Sequence, residues 1–362
     1  MRKHYIDNIR CVTVLLVVLY HVIYMFNSVI TEGVVGPVSA FHGQDVIQYL
    51  LYPWFMVILF LISGMSAKYY LDTHSVKEFV RARTRKLLVP STIGLLVTGW
   101  MQGYYNMLIS GAFDNIPAET PQPVMYLIMA ISGTGVLWTI QIMWIFSMLL
   151  LFIRKLVRIV CKEDRGFGVS FVLLLIAFLP LCYVSARILN TPIIPVYRFG
   201  IYGFAFFTGY FIFSAEKTTD ELKRFSVPLL AAAGILGIMH TIVYFGKNYA
   251  VTPVVNCPLA IAYGWVMCLA MIGSAKRWFD KNYAFIEFMK KRSFGLYVFH
   301  YLPLSACAYY LHTYTKLPGI VLYILTAIAA YAGGLILNEV ISRIPVVRWC
   351  SLGIRKEKKN VL

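Results

Sequence analysis

Charged side chains are scarce in this chain, and acidic ones are scarcer than basic ones. Only 14% of the 362 residues are Asp, Glu, Lys or Arg, with 16 acidic against 33 basic residues, whereas 59% are hydrophobic. A soluble protein carries about a quarter charged residues and is about half apolar. Because globular domains could not hide so much apolar surface from water, the composition excludes a soluble enzyme and predicts an integral membrane protein.

Cysteine pairs are also lacking. No C-x-x-C occurs, and the seven cysteines are odd in number, scattered and mostly within apolar runs. The sequence therefore supports neither a disulfide framework nor a zinc site, and we expect no metal. The cysteines are Cys11, Cys161, Cys182, Cys257, Cys268, Cys307 and Cys350.

The N-terminal segment has two interpretations. Arg2, Lys3 and Arg10 precede an apolar run from Cys11 to Phe26, as in a secretory signal peptide. The best cleavage sequence, Val38-Ser39-Ala40, lies far beyond that run. We therefore expect the run to be a retained helix rather than a cleaved signal.

Ten segments reach the length of about 20 mostly apolar residues that a helix needs to cross a bilayer. The fourth is too long for one crossing, and we expect Gly133-Thr134-Gly135 to divide it into a short re-entrant or interfacial helix and a true span. The sequence therefore predicts an all-α, polytopic membrane protein with about ten transmembrane helices. The segments are 11–30, 46–67, 87–109, 124–153, 168–186, 197–214, 226–246, 254–274, 293–312 and 318–341.

The basic residues indicate the orientation. If the N-terminus is cytoplasmic and the chain crosses ten times, 29 of the 33 Lys and Arg residues lie on the cytoplasmic side. The exceptions are Arg187, Arg198, Lys247 and Lys316. The positive-inside rule therefore predicts a bacterial-type plasma-membrane protein with both termini cytoplasmic, and no nucleic-acid partner is needed to explain the charge. We expect one membrane domain over 1–345 and a basic cytoplasmic tail over 346–362.

Carboxylates are almost absent from the apolar segments. Only Asp45 and Glu339 touch a predicted span, each near its end, whereas His21, His240 and His300 lie within spans. Ionisable groups inside a bilayer are costly and mark function, and a proton-coupled transporter is expected to carry carboxylates near the membrane centre. Their absence disfavours that class. We interpret His240 as structural.

The first span carries the most informative pair. Arg10 and His21 are eleven residues apart, which places them on one helix face and about 16 Å apart along the axis. Asp7 precedes Arg10 by three residues and can pair with it. Arg10 is either a positive-inside anchor or a phosphate-binding guanidinium at the inner edge. His21 is either a helix-packing hydrogen-bond donor or a general base near the membrane centre.

A basic cluster follows the second span. Arg81, Arg83, Arg85 and Lys86 place four cations within six residues. One interpretation is a stop-transfer signal that contacts anionic lipid. The other is a cradle for a phosphorylated donor such as coenzyme A.

These residues resemble the acyltransferase-3 family of integral membrane acyltransferases. Arg10 and His21, preceded by Ile6-Asp7, are similar to the family's first-helix signature. The similarity spans most of the chain and includes the number of helices. Further similar segments, in chain order, are Phe60-Leu61-Ile62-Ser63-Gly64, Arg83-Thr84-Arg85-Lys86-Leu87 with Pro90, Leu137-Trp138-Thr139-Ile140-Gln141, Ser293-Phe294-Gly295-Leu296-Tyr297-Val298-Phe299-His300, and Glu339 with Pro345.

Two positions depart from the family pattern. Lys86 stands where a second Arg is usual, which keeps the charge and loses the planar fork that binds phosphate bidentately. Thr139 stands where an aromatic residue is usual, beside Trp138.

The resemblance implies an O-acyltransferase. Such an enzyme moves an acyl group, acetyl or succinyl, from cytoplasmic acyl-coenzyme A to a hydroxyl of a carbohydrate or other cell-envelope acceptor. We expect acetyl-coenzyme A as donor, with transfer either direct or through a covalent acyl intermediate. The main alternative is a secondary transporter or lipid-linked sugar exporter, which would not depend on acyl-coenzyme A. A structural or sensory membrane protein is the third possibility.

The residues receive hypothetical roles on this basis. His21 is the general base or a transient acyl carrier, and Arg10 orients the donor or holds its phosphates. Arg83, Arg85 and Lys86 bind donor phosphates, and Arg81 or Arg85 can take the place of the missing second arginine. His300 is either catalytic, supporting or structural. Trp138, with Ser63 and Gln141, either lines the cavity or serves helix packing.

Overall fold

A computed structural model describes residues 3–30, 33–161, 168–191 and 196–355. In these ranges the chain is helical, and the only strand-like pairing is an isolated antiparallel bridge between Asn190 and Arg198. The predicted all-α class is confirmed. The α-helices are His4–Met25, Val46–Leu51, Phe55–Leu71, Val76–Arg83, Val89–Ser91, Trp100–Ser110, Gln122–Ser132, Trp138–Cys161, Phe171–Ile176, Phe178–Ser185, Phe199–Thr208, Glu216–Arg224, Ser226–Tyr244, Pro258–Trp278, Ala284–Lys290, Ser293–Phe299, Tyr301–Tyr314, Gly319–Ile328, Gly334–Arg343 and Pro345–Leu352.

Six helical stretches in the described ranges are long and apolar enough to cross a membrane. They match six of the ten predicted segments, so the chain is a multi-pass membrane protein. The other four segments hold shorter or interrupted helices, and the count of ten stays a prediction. The six stretches are His4–Met25, Gly43–Leu71, Gly135–Val157, Ser226–Tyr244, Pro258–Trp278 and Gly319–Arg343.

Two helix interruptions have causes in the sequence. Helix Gln122–Ser132 ends at Gly133, and a 3-10 turn over Gly135–Leu137 leads into Trp138–Cys161, as predicted from the glycines. In the predicted ninth span, a turn at His300 separates Ser293–Phe299 from Tyr301–Tyr314. Pro303 lacks an N–H and cannot donate to the carbonyl of Phe299, so regular hydrogen bonding is interrupted around His300.

The chain divides into two compact units. The first unit comprises Met1–Val17, Gly43–Phe79 and Ile145–Lys290. In it, helix Phe55–Leu71 packs closely on Phe199–Thr208, because a Cβ on Gly64 would lie 1.9 Å from the carbonyl oxygen of Phe206. The glycine of the Phe-x-x-Ser-Gly segment therefore serves helix packing.

The second unit comprises Val18–His42, Val80–Trp144 and Lys291–Leu362. Phe299, Ile341 and Leu352 form a buried apolar cluster within it. Helix Pro345–Leu352 includes the first residues of the predicted tail, and it contributes Leu352 to that cluster. Residues 356–362 of the predicted tail lie outside the described residues, and the division at 345/346 stays a prediction.

Candidate active site

Two histidines of the second unit meet inside the protein. Nε2 of His300 lies 3.1 Å from Nδ1 of His21, and the ring centroids are 5.1 Å apart. His300 is fully buried and His21 is partly buried. The structure therefore brings together two residues that were predicted separately from segments 279 positions apart.

Backbone carbonyls fix the tautomer of His300. Its Nδ1 lies 3.0 Å from the oxygen of Leu296 and 2.9 Å from that of Tyr297. Carbonyl oxygens only accept hydrogen bonds, so Nδ1 of His300 carries the proton. With both rings neutral, Nε2 of His300 accepts from Nδ1 of His21. The basic lone pair of the His21 ring is then on Nε2. His21 is thus a base that is oriented by a second group, His300.

Tyrosines surround the pair. The rings of Tyr20 and Tyr301 meet the His21 ring edge-on, at centroid distances of 5.2 Å and 5.1 Å. Tyr24 is edge-on at 6.4 Å. Tyr301 directly follows His300 and was not among the predicted site residues. Its position next to His300 is the feature of the sequence that could have identified it.

The backbone around His300 is held at two further points. The hydroxyl of Tyr297 donates to the carbonyl of Val136, which lies in the turn before Trp138. A Cβ on Gly334 would lie 3.1 Å from Cα of His300, so the helix Gly334–Arg343 approaches the histidine backbone closely. The hydrogen bond from Tyr297 therefore joins the turn that precedes residues 137–141 to the segment 293–300.

A small cavity is lined by both sequence neighbours of His300, whereas His300 itself is not among the described lining residues. It holds about 80 Å³, and its lining includes Gln102, Val136, Phe299 and Tyr301. The side-chain nitrogen of Gln102 donates to Asn106 and to Ser305, at 2.7 Å and 3.1 Å. Its buried Oε1 forms no hydrogen bond with a described residue. Gln102 was not among the predicted site residues. The feature that could have identified it is a polar side chain within the apolar segment 87–109.

The basic cluster lies at the end of helix Val76–Arg83 and in a π-helical turn, Thr84–Leu88. Arg81 is exposed and Arg83 and Arg85 are partly buried. Lys86 is exposed, and its Nζ lies 3.5 Å from the carbonyl of Leu352 and 5.5 Å from the centroid of the Phe294 ring. Lys86 therefore also interacts with the C-terminal end of helix Pro345–Leu352.

Two hydrogen bonds anchor this cluster and the segment after it to helix Trp138–Cys161. Nε1 of Trp144 donates to the hydroxyl of Thr84 over 3.1 Å, and the amide nitrogen of Gln141 donates to the carbonyl of Ser91 over 2.9 Å. Gln141 therefore has a packing contact. Trp138 is partly buried at the start of the same helix.

Arg10 lies in the first unit. Its guanidinium donates to Ser66 over 2.8 Å and lies 3.4 Å from a carboxylate oxygen of Asp7. The predicted Asp7–Arg10 pair is confirmed. Helix His4–Met25 runs unbroken through Arg10 and His21, so their predicted helical spacing is also confirmed.

The comparison with protein families decides the class. A family model described as an acyltransferase domain, that of the acyltransferase-3 family, matches residues 3–339. The chain belongs to the acyltransferase-3 family. Searches of curated proteins and of solved structures returned no match. The protein is thus a membrane acyltransferase.

The match covers every motif residue of the acyltransferase except Pro345. Pro345 begins the last described helix, and Glu339 forms an ion pair with Arg343 over 3.0 Å. Within the described ranges, no group of three or more His, Cys, Asp and Glu side chains is placed to hold a metal ion.

Proposed function

We propose that this acyltransferase moves an acyl group from cytoplasmic acyl-coenzyme A to a hydroxyl of a carbohydrate or other cell-envelope acceptor. The hydrogen bond between His21 and His300 is the observation that carries the proposal. It prepares one ring nitrogen to take a proton at a buried position, which is what an attacking hydroxyl requires. The family supplies the acyl-transfer chemistry.

In the proposed reaction, Nε2 of His21 removes the proton as the acceptor oxygen attacks the thioester carbonyl. The new C–O bond forms, the C–S bond breaks, and the proton passes to the leaving thiolate of coenzyme A. An alternative path attaches the acyl group to Nε2 of His21 before the acceptor attacks. His300 acts through His21 in both paths and is therefore a positioning residue.

Acetyl-coenzyme A is the proposed donor. The cavity lined by Phe299 and Tyr301 holds about 80 Å³. Because ligand pockets are typically about 300–1,000 Å³, that small space suits an acetyl group better than a long chain. The lining of Gln102 and Tyr301 offers polar atoms for the thioester end of the donor.

The phosphates of coenzyme A are proposed to bind at Arg81, Arg83 and Arg85. Guanidinium groups bind phosphate bidentately, and the sequence places no carboxylate between Glu78 and Asp114 to compete. The carboxylate of Glu78 already accepts hydrogen bonds from the backbone and hydroxyl of Ser75, which lowers the pKa of Glu78. Lys86 is proposed to add charge while it caps the helix end at Leu352.

Arg10 and Trp138 keep the roles expected from the sequence. Arg10 is proposed to orient the donor or hold its phosphates, and its contacts with Asp7 and Ser66 restrict the side chain. Trp138 is proposed to line the donor site, and its neighbours Val136 and Leu137 line the small cavity.

The proposed topology has both termini in the cytoplasm, ten crossings and a bacterial-type plasma membrane as location. It is supported by 29 of 33 basic residues on one side. Lys223→Cys and Lys247→Cys test it, because they fall on opposite sides. In intact cells a membrane-impermeant maleimide is expected to label only Lys247→Cys, and labelling of Lys223→Cys would contradict the topology.

Acyl transfer itself is tested in proteoliposomes with radiolabelled acetyl-coenzyme A and a membrane extract as acceptor source. We expect label in extract material with the unmodified chain, and transfer that is slower by about 10²- to 10⁴-fold with His21→Ala. His240→Ala is the matched control, since it removes another imidazole from a membrane span. Label transfer at an unchanged rate in His21→Ala would contradict the assigned role. Ion-driven substrate flux without acyl transfer would favour a transporter instead.

A further inference from the structure

A polar pocket in the first unit is lined by none of the residues given a role in the proposed acyl transfer. It holds about 350 Å³ and is lined by Arg187, Asn190, Thr252, Pro253 and Asn256. That volume is within the range of small-molecule sites. The described lining residues supply a guanidinium, two side-chain amides and a hydroxyl, and none of them is a carboxylate.

A second arginine lies behind this lining. Arg198 is only 4% exposed, and its guanidinium donates to Oδ1 of Asn256 over 2.8 Å and to the carbonyl of Val255 over 3.3 Å. Its Nε is buried and forms no hydrogen bond with a described residue. A buried charge that lacks an opposite charge is strongly unfavourable. The arrangement therefore favours an anion near Asn256.

Neither arginine is neutralised by a carboxylate in the described part of the chain. The guanidinium of Arg187 lies over the ring of Tyr183, 4.5 Å from its centroid, and Arg187 is exposed. By contrast, Lys276 of the same unit contacts Glu216 at 2.7 Å and Asp220 at 2.8 Å. The pocket is thus a local excess of positive charge with hydrogen-bond donors around it.

We infer that this pocket binds a carboxylate or phosphate group carried by the hydroxyl-bearing acceptor. Arg187 and Arg198 are two of only four basic residues that the proposed topology places outside the cytoplasm. Arginine binds such anions through charge-assisted hydrogen bonds, and the amides and hydroxyl suit the hydroxyl groups of a sugar. The identity of the ligand as an acceptor rests on the proposed function, whereas the anion site does not.

The test measures binding without any acyl donor, so a failure of acyl transfer does not affect its outcome. The full chain is placed in phosphatidylcholine nanodiscs and titrated with galacturonate, using galactose as the matched neutral sugar. We expect galacturonate to bind more tightly than galactose. Arg187→Gln should weaken galacturonate binding about tenfold and leave galactose binding unchanged.

Lys247→Gln is the control variant. Lys247 is predicted to lie on the same side, and its Nζ is 5.5 Å from the centroid of the Tyr244 ring, so the substitution removes a comparable cation outside the pocket. Equal losses in Arg187→Gln and Lys247→Gln would overturn the site and indicate a general surface-charge effect. Equal binding of the two sugars, or no binding of either, would overturn it as well.

Two further measurements test the role of the Arg198 guanidinium and the source of the anion. Arg198→Lys keeps the buried charge and loses the planar guanidinium, so it should weaken galacturonate binding while preserving the fold, as checked by thermal unfolding. Nanodiscs that contain phosphatidylglycerol present a lipid phosphate in competition. If the lipid abolishes galacturonate binding to the unmodified chain, the pocket is a lipid headgroup site and the acceptor assignment is overturned.

Discussion

Two buried histidines in aromatic surroundings differ in their hydrogen bonds. His300 of the second unit is fixed by two backbone carbonyls and hydrogen-bonded to His21. His240 of the first unit is 1% exposed and lies among the rings of Tyr49, Tyr244 and Tyr263. Neither ring nitrogen of His240 forms a hydrogen bond with a described residue. Burial and aromatic neighbours are thus common to both positions.

The hydrogen-bond chain makes the difference in chemistry. A histidine becomes a directed base when a second group fixes its tautomer and ring orientation. The carbonyls of Leu296 and Tyr297 do this for His300, and His300 does it for His21. Tyr49 and Tyr263 donate their hydroxyls to the carbonyls of Lys247 and Leu50, and so are engaged elsewhere. His240 has a ring-packing environment, which supports its interpretation as structural.

The largest effect should come from His21→Ala. Because a positioned general base contributes about 10²- to 10⁴-fold, kcat for acetyl transfer should fall by that range. The measurement is the initial rate of label transfer in proteoliposomes at saturating donor. His240→Ala at matched protein level should keep most of the activity. A comparable fall in both variants would break the distinction between the two histidines.

His300 should show a smaller loss that depends on the replacement. His300→Leu removes the acceptor for Nδ1 of His21, and kcat should fall roughly 10- to 100-fold with little change in KM for the donor. His300→Gln keeps an amide oxygen that can accept this hydrogen bond, and should recover part of the rate. If His300 had only a structural role, both variants would lose the same amount of activity and KM for the donor would rise.

The sequence predicted single helices better than the contacts between them. Helical spacing on His4–Met25 and the break at Gly133 follow from local rules, and both were confirmed. The pairing of His21 with His300 joins positions 279 residues apart, so no local periodicity carries it. The tautomer of His300 depends on carbonyl directions, and the contact of Lys86 with Leu352 depends on a helix end that composition does not locate.

Substitution of a glycine that packs against His300 should lower the rate less than substitution of His300 itself. A Cβ at Gly334 would lie 3.1 Å from Cα of His300 and 2.9 Å from a methyl of Leu296, so Gly334→Ala should shift His300 by a few tenths of an ångström. Since a displacement of about 1 Å can cost a factor of about 10², we expect kcat to fall tenfold or less.

The control for Gly334→Ala is Gly234→Ala, on the helix that carries His240. A Cβ at Gly234 would meet nothing within 4 Å, so neither the rate nor the unfolding temperature should fall. If Gly234→Ala lowers the rate as much as Gly334→Ala, the loss reflects general sensitivity of the membrane helices to alanine rather than the position of His300.

The smallest effect should come from His240→Phe. A buried polar group without a hydrogen-bond partner costs about 1–3 kcal/mol, and phenylalanine keeps a ring to pack against Tyr244 and Tyr263. The variant should therefore keep its acyl-transfer rate and unfold at the same or a higher temperature in detergent, as measured by scanning fluorimetry. A selective loss of rate in a stably folded His240→Phe would mean that His240 takes part in the reaction, and that hydrogen bonds seen within each unit do not suffice to tell a working histidine from a structural one.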